Sequence, residues 1–262
     1  MTSPHEIAPL ALHDYAGTPK IDAAIPFTRL LRVEWGKATD TRAARWLLAI
    51  TGLATVAIML APILAKTKIE QTTQHYVQFP AFVLATLLPV VAILTMTTEW
   101  TQRTVLTTFT QEPRRSRVVA AKVVVSGLLS LAATAFGALL AIGGVELVEA
   151  GGRHVTDNMG WGQLIGFPLF LLANMLLGTA FGAVLHNSAA AIVLVFVLPT
   201  AFGFLGQAVH SVQQWLDPGT TFGWMVSGDW AGHGPKMAAS IAVWLVVPLV
   251  AGFARTVRRE IK

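Results

Sequence analysis

Six long apolar runs divide this chain, and polar or charged residues separate them. The runs cover residues 46–65, 79–97, 118–145, 161–185, 189–206 and 237–254. A helix needs about 20 residues to cross a hydrocarbon core of about 30 Å. The last two runs are the shortest and lie near the lower limit of that length. The pattern therefore predicts an all-α, polytopic membrane protein with six transmembrane helices.

The segment between the second and third runs, "EWTQRTVLTTFTQEPRRSR", is polar but has helical spacing. At 100° per residue, Val105, Leu106 and Phe109 fall on one side. The opposite side carries Trp100, Thr104, Thr107, Thr108 and Gln111. We expect a short amphipathic helix that ends before Pro113 and that needs packing to hold it, because threonine lowers helix propensity. Glu99 and Arg103 have the i,i+4 spacing of a surface ion pair.

A second amphipathic stretch, "PFTRLLRVEWGKATDTRAARW", precedes the first run. Pro26 suits a first helical turn, and one face carries Phe27, Leu30, Leu31 and Ala38. This pattern predicts an interfacial helix that follows a cytoplasmic tail at residues 1–25. Glu34 lies within the apolar face, where an unpaired carboxylate is costly. Two interpretations stay open: an i,i+3 pair with Lys37, or a contact with another cytoplasmic segment.

Composition and charge narrow the class and orient the chain. Of 262 residues 54% are hydrophobic and 13% are charged, which excludes an ordinary soluble domain. The absence of cysteine excludes disulfides and thiolate metal sites. Placing both termini in the cytoplasm puts fifteen of the nineteen basic residues on that side.

The basic residues near the third run have more than one interpretation. Arg114, Arg115 and Arg117 anchor that run at the cytoplasmic surface, or they contact a phospholipid or an acidic partner. Lys122 is expected to extend its ammonium back to the headgroups.

Missing motifs exclude several functions. The six runs hold few ionisable residues away from their ends, which disfavours proton or sodium coupling. The chain has no phosphate-binding glycine motif and no H-E-x-x-H pair, so we expect no ATP site, no zinc hydrolase and no enzymatic activity of its own. Four histidines fall on the outer side without metal-ligand spacing: His75, His154, His210 and His233.

Two stretches resemble the permease subunits of type-2 ABC exporters. They are "RLLRVEWGKATDTRAARWLLAITGL" at the first span and "TEWTQRTVLTTFTQEPRRSRVVAAKVV" after the second. In that family an interfacial helix precedes six spans, and an E-W-x-x-x-T segment leads through an Arg-rich turn into a third span containing A-K. The resemblance runs over the whole chain and is most specific from Glu99 to Lys122.

The resemblance implies a single permease domain at residues 26–262 that works with separate proteins. Residues 98–117 become the coupling segment, which docks on an ATPase through Glu99, Trp100, Arg103, Thr104, Thr107, Thr108 and Phe109. The interfacial helix supports it through Leu30, Leu31, Glu34 and Trp35. The implied partners are two cytoplasmic ABC ATPase subunits, which bind ATP and Mg, a second permease copy or homologue, and membrane lipids. Nucleic acid, and any cofactor or metal in this chain, are not expected.

The sequence indicates the transported cargo and its path less directly than it indicates the spans. The largely neutral spans favour a lipophilic or amphiphilic cargo, such as a drug, antibiotic, lipid or peptide, exported across a bacterial inner membrane. Asn174 and Thr134 are the polar candidates for the path, although such side chains often hydrogen-bond a neighbouring helix instead. The resemblance makes residues 207–236 a re-entrant outer segment, with Trp215, Phe222 and Trp224 as a gate; these aromatic residues equally suit an interfacial belt.

Two other functions stay open at this stage. One is a membrane scaffold or sensor that docks a cytoplasmic partner without transport. The other is an ion-coupled carrier or membrane enzyme, which would depend on Glu146, Glu149 or a histidine at the outer face.

Overall fold

Helices account for nearly all of the ordered architecture. The computed structural model describes residues 25–64 and 71–258, so almost all of the predicted tail at residues 1–25 lies outside the described residues. The helices are α1 Phe27–Asp40, α2 Arg42–Leu64, α3 Thr73–Thr101, α4 Val105–Gln111, α5 Arg115–Ala150, α6 Trp161–Leu185, α7 Ser188–Ala208, α8 His210–Trp215, α9 Pro218–Ser227, α10 Gly234–Ile241 and α11 Val247–Arg258. A π-helical turn at Ala242–Val246 joins the last two.

Six of these helical stretches are long and apolar enough to cross a membrane. They are α2, α3, α5, α6, α7 and the continuous stretch Gly234–Arg258. The predicted all-α class and the count of six are therefore confirmed. Several helices extend beyond the apolar runs; α5 has 36 residues because its hydrogen-bonded helix continues into polar sequence at both ends.

Helices α3 and α6 form the centre of the bundle. Of the most apolar stretch of each, 56% is buried, compared with 22% in α2 and 17% in α7. The core between them includes Leu88, Leu171 and Met175. Helices α2 and α7 therefore lie at the periphery, where an apolar surface suits lipid.

Small residues bring the two central helices close together. A Cβ atom on Gly178 of α6 would lie 2.3 Å from the carbonyl oxygen of Pro89 in α3. One turn later, a Cβ on Gly182 would lie 2.9 Å from the Cβ of Met96. The two glycines, spaced G-x-x-x-G, thus allow close packing of α6 on α3 within the chain.

Glycine also holds α9 against the beginning of α6. A Cβ on Gly166 would lie 1.8 Å from the carbonyl oxygen of Met225. Gly228, which ends α9, has a φ of +73°, and its backbone lies against Gly162. The short helices between the fifth and sixth spans are therefore packed onto the bundle.

The sixth span differs from the plain helix that its sequence predicts. The π-helical turn at its middle contains Trp244, whose indole Nε1–H donates to the carbonyl oxygen of Leu216 at 2.7 Å. This bond satisfies the buried indole and connects the span to the segment between α8 and α9.

The contact at Gly178 predicts an unusual result for a Gly→Ala substitution. In a helix this change ordinarily stabilises by about 1 kcal/mol. Here the new methyl group meets the backbone of Pro89, so Gly178→Ala should reduce the free energy of unfolding by about 1–3 kcal/mol. Thermal unfolding in detergent measures it. Gly143→Ala is the control, because no atom lies within 4 Å of its Cβ position, and equal stability of the two variants would contradict the packing.

Candidate functional site

The candidate site lies at the end of the bundle where α1, α4 and the ends of α3 and α5 meet. Helix α1 begins after Pro26 and buries one face, which consists of Leu30, Glu34 and Ala38. Leu31 is half-buried and Trp35 is exposed. An acidic residue therefore does lie in the buried face of α1, as the sequence indicates.

Four charged side chains from three helices form a closed ring there. In α1, Lys37 Nζ lies 2.6 Å from Glu34 Oε1. The same nitrogen lies 2.5 Å from Oε1 of Glu99 in α3. Opposite it, Nζ of Lys122 in α5 lies 2.6 Å from Glu34 Oε2 and 3.3 Å from Glu99 Oε2. Each carboxylate thus binds both ammonium groups.

The ring is electrically balanced and deeply buried at three of its four positions. Glu34, Glu99 and Lys122 are buried, whereas the Lys37 side chain is 34% exposed. Burial by itself lowers the pKa of Lys37, but the carboxylates of Glu34 and Glu99 outweigh burial and raise this pKa above its ordinary value of 10.5. Lys37 therefore carries the charge that its partners need.

Hydrogen bonds complete the ring on the α5 side. Lys122 Nζ also donates to the carbonyl oxygen of Thr95 at 3.1 Å, in addition to its hydrogen bond to Glu34 Oε2 and its ion pair with Glu99 Oε2. The prediction that Lys122 extends to the headgroups is wrong, because two carboxylates hold its ammonium inside the bundle. For Glu34, the predicted pair with Lys37 is confirmed; its second partner, Lys122, lies within the third predicted span and not in another cytoplasmic segment.

The predicted pair of Glu99 with Arg103 is wrong. Helix α3 ends at Thr101, and Arg103 has a left-handed φ of 59°. The i,i+4 relation requires a continuous helix, which the chain has left at that point. Glu99 turns instead toward the two lysines, and Arg103 is exposed.

Helix α4 has an inner face bound to the ring and an outer face open to the surroundings. Val105 is buried, and Thr108 donates its hydroxyl to Glu99 Oε1 at 2.8 Å. Phe109 is half-buried, with the Arg115 guanidinium 4.8 Å from its ring centre. The outer face carries Thr104, Leu106, Thr107, Thr110 and Gln111.

Helical spacing predicted the wrong side of α4 for Leu106. Its side chain is 54% exposed, although spacing grouped it with Val105 and Phe109. Leu106 lies one residue, about 100° around the helix, from Val105, whereas the side that meets the bundle carries Val105, Thr108 and Phe109. The exposed leucine gives the outer face an apolar residue beside its threonines.

The arginines that follow α4 have specific contacts. Arg117 pairs with Glu112 at 2.9 Å and donates to the carbonyl oxygen of Ile25 at 2.6 Å. It thereby links the start of α5 to the start of α1. Arg114 is exposed. The predicted anchoring at the membrane surface therefore suits Arg114 better than it suits Arg117.

The other side of α3 contacts the turn between α6 and α7. The rings of Trp100 and His186 stack with centroids 4.0 Å apart. His186 Nε2 lies 2.9 Å from the Thr256 hydroxyl of α11, and the hydroxyls of Thr97 and Ser188 lie 2.6 Å apart. The end of α3 is therefore joined to α1, α4 and α5 on one side and to α6, α7 and α11 on the other.

A cavity of about 1060 Å³ opens beside the ring, and we name it the elbow cavity because it includes the bend between α1 and α2. Its lining includes Lys37 and Glu99 of the ring, Arg42 at the bend, Arg29 in the first turn of α1, and apolar side chains of α2 and α3.

The candidate path and gate residues lie elsewhere. Asn174 donates to the carbonyl oxygen of Phe170 in its own helix at 2.9 Å, and Thr134 donates to that of Ser130 at 2.8 Å. Trp215 is exposed, whereas Phe222 is buried in the core. Trp224 stacks on His233 with centroids 4.0 Å apart. The structure does not bring these residues together with the ring.

Comparison with known proteins adds no assignment, and the part of the chain that is described shows no metal centre. No protein-family model and no curated protein matches this sequence. Within residues 25–64 and 71–258, no three His, Asp or Glu side chains group in a way that could hold a metal ion.

The ring predicts a strong effect when one charge is removed. Lys122→Met leaves two buried carboxylates with one ammonium, which should reduce the free energy of unfolding by about 3–5 kcal/mol. The double variant Glu34→Gln/Lys122→Met restores charge balance, so it should be less destabilised than the sum of its single variants. Denaturant unfolding in detergent measures each variant.

The control for this experiment is Arg32→Gln, an exposed position on α1. It should change stability by less than about 0.5 kcal/mol. If Lys122→Met behaves like this control, the ring does not hold the three helices together.

Proposed function

We propose that this chain is the permease subunit of an ATP-driven exporter, with α4 as the helix that receives a separate ATPase. The observation that carries the proposal is the two-sided character of α4. Its outer face is exposed around Leu106, while Thr108 on its inner side binds Glu99 of the ring. A partner that moves α4 would thus act directly on buried charges shared by three helices.

The ring supports transmission of such a movement. Glu99, Glu34 and Lys122 belong to α3, α1 and α5, and separating any one from the others would expose or isolate a buried charge. The three helices are therefore expected to shift together rather than slide past one another. A displacement of α4 becomes a displacement of two membrane spans and of α1.

The contacts of Trp100 extend this path to the second half of the bundle. Through His186 and Thr256, the end of α3 reaches the α6–α7 turn and α11. In the proposed mechanism, two ATPase subunits bind ATP and Mg, close on each other and push the α4 helices of two permease copies. The resulting movement of the spans opens a path for a lipophilic or amphiphilic cargo.

The resemblance to type-2 ABC permeases in Glu99 to Lys122 favours this function over a scaffold that only docks a partner. The ring residues Glu99 and Lys122 are the ends of that same stretch. The proposed arrangement is a multi-pass protein of the bacterial inner membrane with both termini in the cytoplasm.

A charged substitution on the outer face of α4 is expected to dissociate the ATPase from this chain. Leu106→Asp places a charge on that face without touching the ring, so the ATPase should no longer co-purify from native membranes. ATP hydrolysis in the eluate measures the association. Val209→Asp is the control, because Val209 is also exposed but lies at the α7–α8 junction.

Two outcomes would contradict the proposal. If Leu106→Asp retains the ATPase as fully as Val209→Asp does, α4 is not the docking helix. If the ATPase associates but cargo never stimulates its turnover in reconstituted vesicles, the chain is a scaffold or sensor instead.

The proposed orientation is tested with single cysteines, since the chain has none of its own. Thr110 and Ser211 are both exposed, in α4 and α8. A membrane-impermeant maleimide applied to intact cells should label Ser211→Cys and spare Thr110→Cys. Permeabilised cells, in which both should react, are the control. Labelling of Thr110→Cys in intact cells would reverse the orientation.

A further inference from the structure

The elbow cavity has a charged end and an apolar end, and both ends restrict the kind of ligand that it can bind. Its volume of about 1060 Å³ is at the upper end of the range for sites of small organic ligands. Lys37 and Arg42 line the charged end near the bend, Arg29 lines the cavity from the first turn of α1, and Leu47, Val91 and Leu94 line the apolar end. A ligand that matches this lining has a charged head and an apolar body.

The two ends follow the direction of the spans. Leu47 lies five residues after Arg42 in α2, which is about 7.5 Å along a helix. Val91 and Leu94 precede Glu99 in α3, so they also lie deeper in the bundle than the ring. The apolar end therefore extends toward the membrane interior, and the charged end lies at the membrane surface where α2 begins.

Charge decides the sign of the head group. The carboxylates that line the cavity, those of Glu34, Glu99 and Glu112, are all buried and all paired with Lys or Arg. A cationic ligand would therefore find no carboxylate that lacks a counterion.

The cations differ, since Arg29 and Arg42 have no ion pair among residues 25–64 and 71–258. Lys37 also uses only two of its three N–H groups on the ring carboxylates. The charged end thus has an excess of hydrogen-bond donors with positive charge. Phosphate oxygens are the acceptors that arginine side chains bind best.

We propose that the elbow cavity binds an anionic phospholipid from the surrounding leaflet, with its phosphate at Arg42 beside Lys37 and its acyl chains along Leu47, Val91 and Leu94, while Arg29 adds positive charge to the cavity from the first turn of α1. The lipid occupies the bend between α1 and α2, next to the ring. It acts as a bound component of this face of the protein, whether or not an ATPase docks on α4.

The test measures lipid binding to the purified full-length chain by native mass spectrometry. Phosphatidylglycerol is titrated against phosphatidylcholine with the same acyl chains. The wild-type chain should retain phosphatidylglycerol preferentially. Arg29→Gln/Arg42→Gln should weaken phosphatidylglycerol binding by about tenfold, because the charge-assisted contact of Arg42 with the phosphate and the positive charge of Arg29 at the cavity are both lost. Equal binding of the two lipids by the wild-type chain would overturn the proposal.

The matched control is Arg32→Gln/Arg45→Gln. It removes one arginine from each of the same two helices, and neither residue lines the cavity. This control should bind phosphatidylglycerol as the wild-type chain does. If it loses as much affinity as Arg29→Gln/Arg42→Gln, the effect is general surface charge and the proposal fails.

Two further measurements distinguish the ligand source and guard against misfolding. Excess inorganic phosphate should not displace the lipid; if it does, the site is a small-anion site and the lipid assignment is wrong. Leu94→Trp narrows the apolar end and leaves both arginines, so it should also weaken lipid binding. Retention of full affinity by Leu94→Trp would overturn the placement of the acyl chains. These measurements contain no ATPase, so their failure leaves the proposed exporter function untouched.

Discussion

The closed ring of Glu34, Lys37, Glu99 and Lys122 is the interaction on which this end of the molecule depends. Removing an ion from water into a protein interior costs several kcal/mol even after relaxation. An isolated lysine at the start of the third span, or an isolated glutamate in the buried face of α1, would be unfavourable there. Placed together, two charges of each sign cancel, and each carboxylate oxygen of the ring has an ammonium partner.

The balanced charges allow the ring to be buried, and its short ion pairs also fix the relative positions of the helices. Apolar packing between helices permits small shifts, because one methyl contact replaces another at little cost. Charged contacts at 2.5–3.3 Å do not permit this, since a shift of one helix leaves a buried charge without its partner. The ring thereby fixes the relative positions of α1, α3 and α5, whereas close glycine contacts fix α6 against α3 and α9.

Local patterns in the sequence were sufficient to predict the spans, α1 and α4. Hydrophobic length and 3.6-residue spacing are properties of neighbouring residues, and the structure confirms six apolar helices with those two amphipathic helices beside them. The ring could not be predicted in the same way. Glu34 and Lys122 are 88 residues apart, and no periodicity indicates which distant residues meet. One local signal did mark both residues. Glu34 is an acidic residue in the apolar face of α1, and Lys122 is a basic residue within the apolar run 118–145.

The errors near α4 have a related cause. The pairing of Glu99 with Arg103 assumed a helix that continues, but the chain enters a left-handed turn at Arg103. Helical spacing carries no information across a break in the helix. Leu106 faces outward because the side of α4 that meets the bundle carries Val105, Thr108 and Phe109, and spacing alone does not specify which side that is. The π-helical turn around Trp244 is a further break that apolar composition conceals.

The order in which the ring residues occur along the chain has a consequence for biogenesis. Glu34 and Lys37 are synthesised first, Glu99 follows, and Lys122 arrives last with the third span. Until then, two carboxylates share one ammonium, so the first two spans cannot settle into their final arrangement. Insertion of the third span supplies the missing positive charge and completes the N-terminal half of the bundle.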